Sequence, residues 1–210
     1  MIKIERDAVM NLENAIRGAR NPMNSWAKSD SYYREDGNFV MGDADLDFGH
    51  RLAVAGSDHR KFLRQIFVSV DITAPLYWWK EFDTYKVGTV ANSCSTMHKI
   101  HTKPFAREDF SHDRLDEGGL AALDAVIAYL EAERQKFVAN KEDRQPWHNL
   151  IQMLPSSFNQ MRTVTLNYEN LMNIYYARRT HKLAEWHVLC DWITSLPYAR
   201  ELICVKEEKQ

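Results

Sequence analysis

The stretch from Ile72 to Ile100 constrains the fold of this chain more than any other. It opens with the apolar and aromatic run APLYWWKEF, passes through the polar segment DTYKVGT, and ends on the small hydroxyl and amide side chains of NSCST. Pro75 suits a first helical turn, where its missing N–H costs nothing, so the pattern predicts a helix over Leu76–Asp83. A buried helix that delivers polar side chains to one place is a common support for a small-anion or nucleotide pocket. The stretch therefore predicts a ligand site around residues 92–96.

The composition of the chain argues against several other classes of protein. Its 210 residues are 45% hydrophobic and 27% charged, which is typical of a soluble globular protein. This length fits one large domain or at most two small ones, and we predict a single domain over residues 1–210. The formal net charge of −2 gives no overall attraction to a polynucleotide or an anionic membrane. The sequence shows no long apolar run, no signal-peptide pattern and no C-x-x-C spacing. We therefore expect a cytoplasmic protein without a membrane span.

Hydrophobic spacing predicts mostly helices and a few strands. The predicted helices cover Asp7–Arg17, Arg51–Arg64 with a break near Gly56, Leu115–Val138, Pro146–Met153, the segment from Asn167 to Arg178, Leu183–Ser195 and a short piece after Pro197. The predicted strands cover Met1–Glu5, Gln65–Asp71 and Arg162–Leu166. These strands must pair across long sequence distances. The pattern therefore predicts a single-domain α+β fold with a small mixed or antiparallel sheet packed by long helices.

Two further segments are predicted to lack regular structure. Asn21–Gly49 is rich in Asn, Ser, Asp and Gly, and we interpret it as a long loop or lid. Lys206–Gln210 is interpreted as a charged tail.

Three segments, in this order and at these spacings, resemble the flavin-dependent thymidylate synthases (the ThyX family). The first is Asp58-His59 before a predicted strand, which is similar to a Glu-His pair of that family. The second is APLYWWKEFDTYKVGTVANSCST, which is similar to the family's proline-led helix and its Arg-His-Arg and Asn-Glu-x-Ser motifs. The third contains Leu154-Pro155, NYENLMN and Arg178, and it resembles the family's Leu-Pro, Asn-x-x-x-Leu-Met-Asn and Arg region.

This resemblance implies a homotetrameric enzyme whose sites are assembled from several subunits. It implies that FAD takes electrons from NADPH and that a one-carbon unit passes from methylenetetrahydrofolate to C5 of a dUMP-like pyrimidine deoxynucleotide. The implied flavin contacts are His59, Thr84, Tyr85, Lys86, Asn167 and Asn173. The implied nucleotide contacts are Glu81, Ser93, Ser95, Thr96, Arg178 and Arg179, of which Ser95 and Arg178 would be catalytic.

Several residues depart from the pattern of that family. Thr84-Tyr85-Lys86 stands where the family has Arg-His-Arg, and Ser93 stands where it has glutamate. Met97 replaces its phosphate-binding arginine, and Glu169 replaces a further arginine. Methionine cannot reproduce a bidentate guanidinium–phosphate contact, and lysine supplies only a point charge. A nucleotide-binding or oligomeric interaction protein of the same fold, without methyl transfer, is therefore the alternative hypothesis.

The polar residues allow two interpretations when they are considered without the family. Asn167, Asn170 and Arg178 would lie on one side of a helix, where they could bind a ligand or simply cap and complement the helix ends. The segment Ser93–Thr96 could anchor an anion or form a polar turn. Tyr85 could stack on a ring such as isoalloxazine. The histidines lack zinc-motif spacing, so we expect no metal site.

Overall fold

A computed structural model describes residues 2–205 of the chain, so the predicted tail Lys206–Gln210 lies outside the described residues. The strands are β1 (Lys3–Met10), β2 (Tyr32–Tyr33), β3 (Phe39–Val40), β4 (Phe67–Pro75), β5 (Val90–Ser93) and β6 (Asn159–Asn167). The helices are α1 (Leu12–Ala19), α2 (Asp43–Val54), α3 (Leu76–Phe82), α4 (Glu117–Ala139), α5 (Gln145–Met153), α6 (Tyr168–Arg178), α7 (Ala184–Ser195) and α8 (Ala199–Leu202).

The sheet pairs strands that are far apart in sequence. Its strand order is β1-β4-β6-β5, and β2 and β3 form a separate antiparallel pair. The predicted α+β fold with a small antiparallel sheet and long helices is confirmed. Among the described residues, no helix combines the length and the apolar character that a bilayer crossing requires.

The chain forms two compact units. Unit 1 contains Ile72–Thr84 and Asn92–Thr163, together with the residues up to Lys3. Unit 2 contains Ile4–Asp71, Tyr85–Ala91 and the residues from Val164 onward.

The core of unit 1 is built on the aromatic helix α3 and on the α4–α5 pair. Trp78 and Trp79 are 0% and 1% exposed, and Trp78 stacks on Phe82 with ring centroids 5.1 Å apart. Leu130 of α4 and Leu150 of α5 are fully buried in one apolar cluster. Each such buried side chain stabilises the fold by about 1.5–3 kcal/mol. The run APLYWWKEF is therefore a core helix, as predicted.

In unit 2, α6 packs against α7 and against a short 3-10 turn at Arg60–Gln65. Leu171 and Ile174 of α6 and Trp186 of α7 are all 0% exposed. The helix predicted over Arg51–Arg64 is broken as expected, because α2 ends at Val54 and Gly56 follows with a φ of 103°.

The boundary predicted near Asp7 is wrong. β1 continues to Met10, and α1 begins only after Asn11, which adopts a left-handed conformation with φ 71°. The side-chain Nδ2 of Asn11 donates to the backbone carbonyl of Gln65 at 2.9 Å, and this hydrogen bond fixes the change of direction. Strand pairing thus overrides a local apolar spacing that also fits a helix.

The predicted loop or lid at Asn21–Gly49 has more structure than expected. It contains the β2–β3 pair and the start of α2. Asp45 is fully buried and accepts hydrogen bonds from Arg20 at 2.6 Å and from the Ser29 and Ser31 hydroxyls at 2.5 Å each. Burial alone would raise the pKa of Asp45, but these hydrogen bonds outweigh it and lower the pKa. A buried carboxylate with a buried arginine partner therefore fixes this segment.

Candidate functional site

A cavity of about 680 Å³ in unit 1 contains part of the predicted hydroxyl cluster. Ser95 and Thr96 line it, and Lys99 and Lys103 add positive charge. Its apolar wall is formed by Ile100, Phe105, Phe110 and Phe158. Small-molecule sites have volumes of about 300–1,000 Å³ and combine apolar walls with a few polar groups. We refer to this space as the unit 1 cavity.

Ser95 is held in a defined orientation by its own turn. Its Oγ accepts the backbone N–H of Met97 at 3.2 Å and that of His98 at 3.0 Å. A hydroxyl has two acceptor lone pairs and one donor hydrogen. Because both lone pairs are used, Ser95 can interact with a ligand only by donating a hydrogen bond.

Gln160 of β6 anchors the segment that carries Ser95. Its Nε2 donates to the Cys94 carbonyl at 2.7 Å, and its Oε1 accepts from Arg162 Nε at 3.0 Å. Arg162 in turn lies over the Trp79 ring at 4.3 Å and donates to Asp83 at 2.7 Å. Rigid neighbours of this kind hold a binding residue in place.

In unit 2, Arg178 and Tyr85 are brought together, although they are far apart in sequence. Arg178 Nε donates to Tyr85 Oη at 2.8 Å, and the guanidinium lies 4.6 Å from the centroid of the Trp186 ring. Trp186 also meets Tyr85 edge to face, with centroids 6.1 Å apart. Tyr85 and Arg178 thus share one aromatic, cationic cluster with Trp186.

The two asparagines at the start of α6 cap this helix. Asn167 and Asn170 form a reciprocal capping box, with side-chain-to-backbone distances of 3.0 and 3.1 Å. Asn170 Nδ2 also donates to the Val87 carbonyl at 2.7 Å. The capping interpretation of Asn167 is therefore confirmed, and α6 also holds the segment Tyr85–Gly88 in place.

Gly88 is required in this segment. Its φ of 72° is one that L side chains rarely adopt, and a Cβ there would lie 3.0 Å from Asn167 Nδ2 and 3.1 Å from Asn170 Oδ1. Only glycine allows the backbone to approach α6 this closely.

The remaining predicted site residues take no part in the contacts described above. Asn173 of α6 and Lys86 are exposed, and exposed His59 lines a separate cavity of about 640 Å³ in unit 2. Arg179 lies over the Tyr176 ring at 5.1 Å. Ser93 ends β5 outside the lining of the unit 1 cavity, and Thr84 donates to the Glu81 carbonyl at 2.7 Å at the end of α3.

Met97 and Glu169 are two of the residues that stand where the resembling family has arginine. Met97 is 44% exposed, and its carbonyl accepts from Trp147 Nε1 at 3.1 Å. Glu169 forms ion pairs with Arg64 and with Arg60, the second at 3.5 Å. The carboxylate that replaces an arginine therefore acts in a surface ion-pair cluster of unit 2.

Sequence reasoning missed Lys99, Phe105 and Gln160 as lining residues of the unit 1 cavity. Lys99 follows the hydroxyl cluster closely, and its positive charge was the signal available there. Gln160 carried no local signal, because its role depends on pairing across the chain. Among the described residues, no three His, Cys, Asp or Glu side chains converge to hold a metal ion.

The described residues have the predicted α+β fold. No protein-family model matches the sequence, and a search of curated proteins finds no significant relative. Solved structures do match it along nearly its whole length.

Two of these structures are from Helicobacter pylori. Thymidylate synthase X with FAD and dUMP matches with a TM-score of 0.68 at 15% identity, covering 97% of this chain and 97% of that one. Another structure of this flavin-dependent thymidylate synthase, complexed with FAD and dUMP, matches with a TM-score of 0.67 at 16% identity, covering 96% and 97%. The UMP/dUMP methylase PolB from Streptomyces cacaoi, bound with 5-Br dUMP, matches with a TM-score of 0.66 at 14% identity, covering 98% and 96%. At these identities the likeness shows the fold alone.

Proposed function

We propose that the protein is a flavin-dependent enzyme of the thymidylate synthase type, which transfers a one-carbon unit to C5 of a dUMP-like pyrimidine deoxynucleotide. The observation that carries this proposal is the match of fold over nearly the full length of proteins solved with FAD and dUMP. The unit 1 cavity supports it, because it combines hydroxyl donors, lysines and an aromatic wall. These are the groups that a phosphorylated ring compound requires.

The nucleotide would contact Ser95 and Thr96 in the unit 1 cavity. Because Ser95 can only donate, its partner would be an acceptor oxygen of the nucleotide. The hydroxyl of the neighbouring Thr96 can donate or accept a hydrogen bond. Both residues follow β5, whose register with β6 fixes their position through Cys94 N–H and the Met161 carbonyl, 2.9 Å apart.

The flavin would be held by residues that the fold of unit 2 presents. Tyr85 fits this role, because Arg178 and Trp186 fix its ring, and exposed Lys86 and Asn173 add a cation and an amide. Asn167 fits less well, since its side chain is 8% exposed and caps α6. Bound by these residues, FAD would supply the redox chemistry for one-carbon transfer from methylenetetrahydrofolate, with NADPH as the electron donor. Arg178 would position Tyr85.

A second candidate function is nucleotide binding without catalysis. Two observations favour it: Met97 stands where a phosphate-binding arginine is expected, and Glu169 is committed to ion pairs with Arg60 and Arg64. Under this hypothesis a nucleotide binds, but NADPH is not oxidised and no methyl group is transferred.

Flavin content and turnover separate the two candidates. We expect the purified protein to show flavin absorbance bands, or to take up added FAD, and to oxidise NADPH in a dUMP-dependent reaction. A colourless protein that takes up no FAD would refute the enzyme proposal. Complementation of a thymidine auxotroph would establish the reaction in cells. The proposed homotetramer would appear in light scattering as four times the chain mass of 24.6 kDa.

A further inference from the structure

Lys99 differs from the other lysines of the unit 1 cavity. Lys103 is ion-paired with Asp109, and Lys3 also has an interaction partner. Within residues 2–205, no ion pair engages the ammonium of Lys99. Lys99 is therefore the lining cation whose charge is still available for a ligand.

The backbone around Lys99 is fixed, even though its side chain is exposed. The Lys99 carbonyl accepts the Thr102 backbone N–H at 3.1 Å and the Thr102 hydroxyl at 2.8 Å. Four residues earlier, Ser95 presents a hydroxyl that can only donate. A cation and a hydroxyl donor thus come from one short turn segment, and both require an electron-rich partner.

Lys141 adds a second lysine charge near this segment, whereas the nearby Arg134 is ion-paired with Glu131 at 2.7 Å. His101 follows Lys99 by two residues, and burial together with the charges of Lys141, Lys99 and Arg134 lowers the pKa of His101. Of the two carboxylates that line the cavity, Asp109 accepts hydrogen bonds from Lys103 and from the Ala106 N–H, and Glu108 is exposed to solvent. An anion beside Lys99 would therefore be attracted by the positive charge of the lysines.

The aromatic wall of the cavity suits a ring. Phe110 is 1% exposed, meets Phe158 edge to face with centroids 5.6 Å apart, and lies 6.3 Å from the Phe105 ring. Aromatic walls of this kind favour planar ligands. The cavity thus combines a lysine and a hydroxyl donor with an aromatic wall, which matches the phosphate and the base of a nucleoside monophosphate.

We infer that Lys99 binds the phosphate of a nucleoside monophosphate in the unit 1 cavity, with Ser95 donating to one of its oxygens. Lys99 would then supply the charge for which Met97, two residues earlier, has no group. This inference rests on the proposed function, because it assumes a pyrimidine nucleotide as the ligand. Lysine gives a single charged contact where arginine gives a bidentate one, so phosphate would be held by the lysine and the serine together.

The test compares dUMP with deoxyuridine, which lacks the phosphate, by calorimetric titration of the full-length protein. Lys99→Gln should weaken dUMP binding by about 10- to 100-fold, the range expected for a lost charge-assisted hydrogen bond, and should change deoxyuridine binding less than about 2-fold. Lys99→Arg should restore most of the dUMP affinity. Lys141→Gln is the matched control, since Lys141 is a nearby lysine outside the cavity lining.

Three results would overturn the inference. The first is a Lys99→Gln protein that binds dUMP within about 2-fold of the wild type, a change too small for a charged contact. The second is a wild type that binds dUMP no more tightly than deoxyuridine. In the third, Lys99→Gln lowers the affinity for FAD instead of dUMP, which would assign Lys99 to the flavin phosphates.

These results are distinguishable from failure of the proposed function. Turnover of dUMP with an unchanged KM in Lys99→Gln would keep the enzyme and reject the role of Lys99. Lys99-dependent binding of dUMP by a protein without flavin or NADPH oxidation would support Lys99 and reject the enzyme. Circular dichroism of each variant would check that the variant is folded.

Discussion

The α6 region of unit 2 and the unit 1 cavity contain similar polar side chains but use them differently. In the α6 region, Asn167, Asn170 and Arg178 hydrogen-bond to the protein itself and hold the segment Tyr85–Gly88. In the cavity, Ser95 retains a donor hydrogen and Lys99 retains its charge. Paired polar groups determine where the backbone lies, whereas polar groups without a protein partner gain most from a ligand. Position in the sequence gives no indication of this difference.

The comparison leads to variants that should affect the two regions differently. Variants in the α6 region should change the position of the segment Tyr85–Gly88. Variants near the unit 1 cavity should change the local charge.

The largest effect is expected for Arg178→Ala. It removes the donor to Tyr85 Oη and the cation over Trp186, so Tyr85 should lose its fixed position. We expect dUMP-dependent NADPH oxidation to fall by about 100-fold or more, the size expected when a positioned charged group is lost. Amide exchange at residues 85–88 should also become faster. Arg51→Ala, at an exposed helix-surface pair with Asp47, is the control. Normal turnover in Arg178→Ala would show that the cluster is only structural.

Gly88→Ala tests how closely the segment approaches α6. It combines a left-handed φ with contacts of 3.0 and 3.1 Å to Asn167 and Asn170, so we expect a loss of about 2 kcal/mol in the free energy of unfolding. Gly37→Ala is the matched control, because Gly37 has a φ of 80° and nothing within 4 Å of its would-be Cβ. It should cost about 1 kcal/mol, the strain alone. Equal losses in urea denaturation would mean that crowding at Gly88 is negligible.

A pair of asparagine variants separates stability from flavin binding. Asn167→Ala removes the N-cap of α6 and should cost about 1 kcal/mol in the free energy of unfolding. Asn173→Ala changes an exposed side chain on the same helix and should leave stability unchanged while weakening FAD binding. The measurements are urea denaturation and FAD titration. If Asn173→Ala leaves FAD affinity unchanged, Asn173 is not a flavin contact.

The smallest effect is expected from pH at His101, near the unit 1 cavity. Burial, followed by the charges of Lys141, Lys99 and Arg134, lowers the pKa of His101 below its ordinary value of 6.5. The unfolded chain therefore binds a proton at a higher pH than the folded chain. This contribution to stability is complete above about pH 6.5 and is lost as the pH falls below that value.

The check compares the free energy of unfolding at about pH 7.5 and pH 5.5 in the wild type and in His101→Gln, where we expect a difference of about 1 kcal/mol or less. Exposed His98→Gln is the control. Lys99→Gln should raise the pKa of His101 in an NMR titration, because it removes one of the opposing charges. An unchanged pKa would mean that Lys99 contributes little to the local field.

Much of the helical structure could be predicted from the sequence. The helix predicted over Leu115–Val138 is α4 at Glu117–Ala139, and Asn167 caps α6 as its side chain suggested. These features depend on interactions within a few residues, which spacing and cap residues report directly. The errors at Asp7, in Asn21–Gly49 and at the unpredicted β5 all involve pairing with distant residues.

The site divides in the same way. The sequence by itself determined that a polar cluster follows an aromatic core helix, and that Ser95 and Arg178 resemble residues of a flavin and nucleotide enzyme. Only the tertiary structure decided that Arg178 binds Tyr85 and that the lone pairs of Ser95 Oγ accept N–H groups of its own turn. It also decided that Lys99 lines the cavity without an ion pair to any residue in 2–205. The reason is physical. Residue type sets which hydrogen bonds and charges a side chain offers, but the folded chain decides which of them it uses itself.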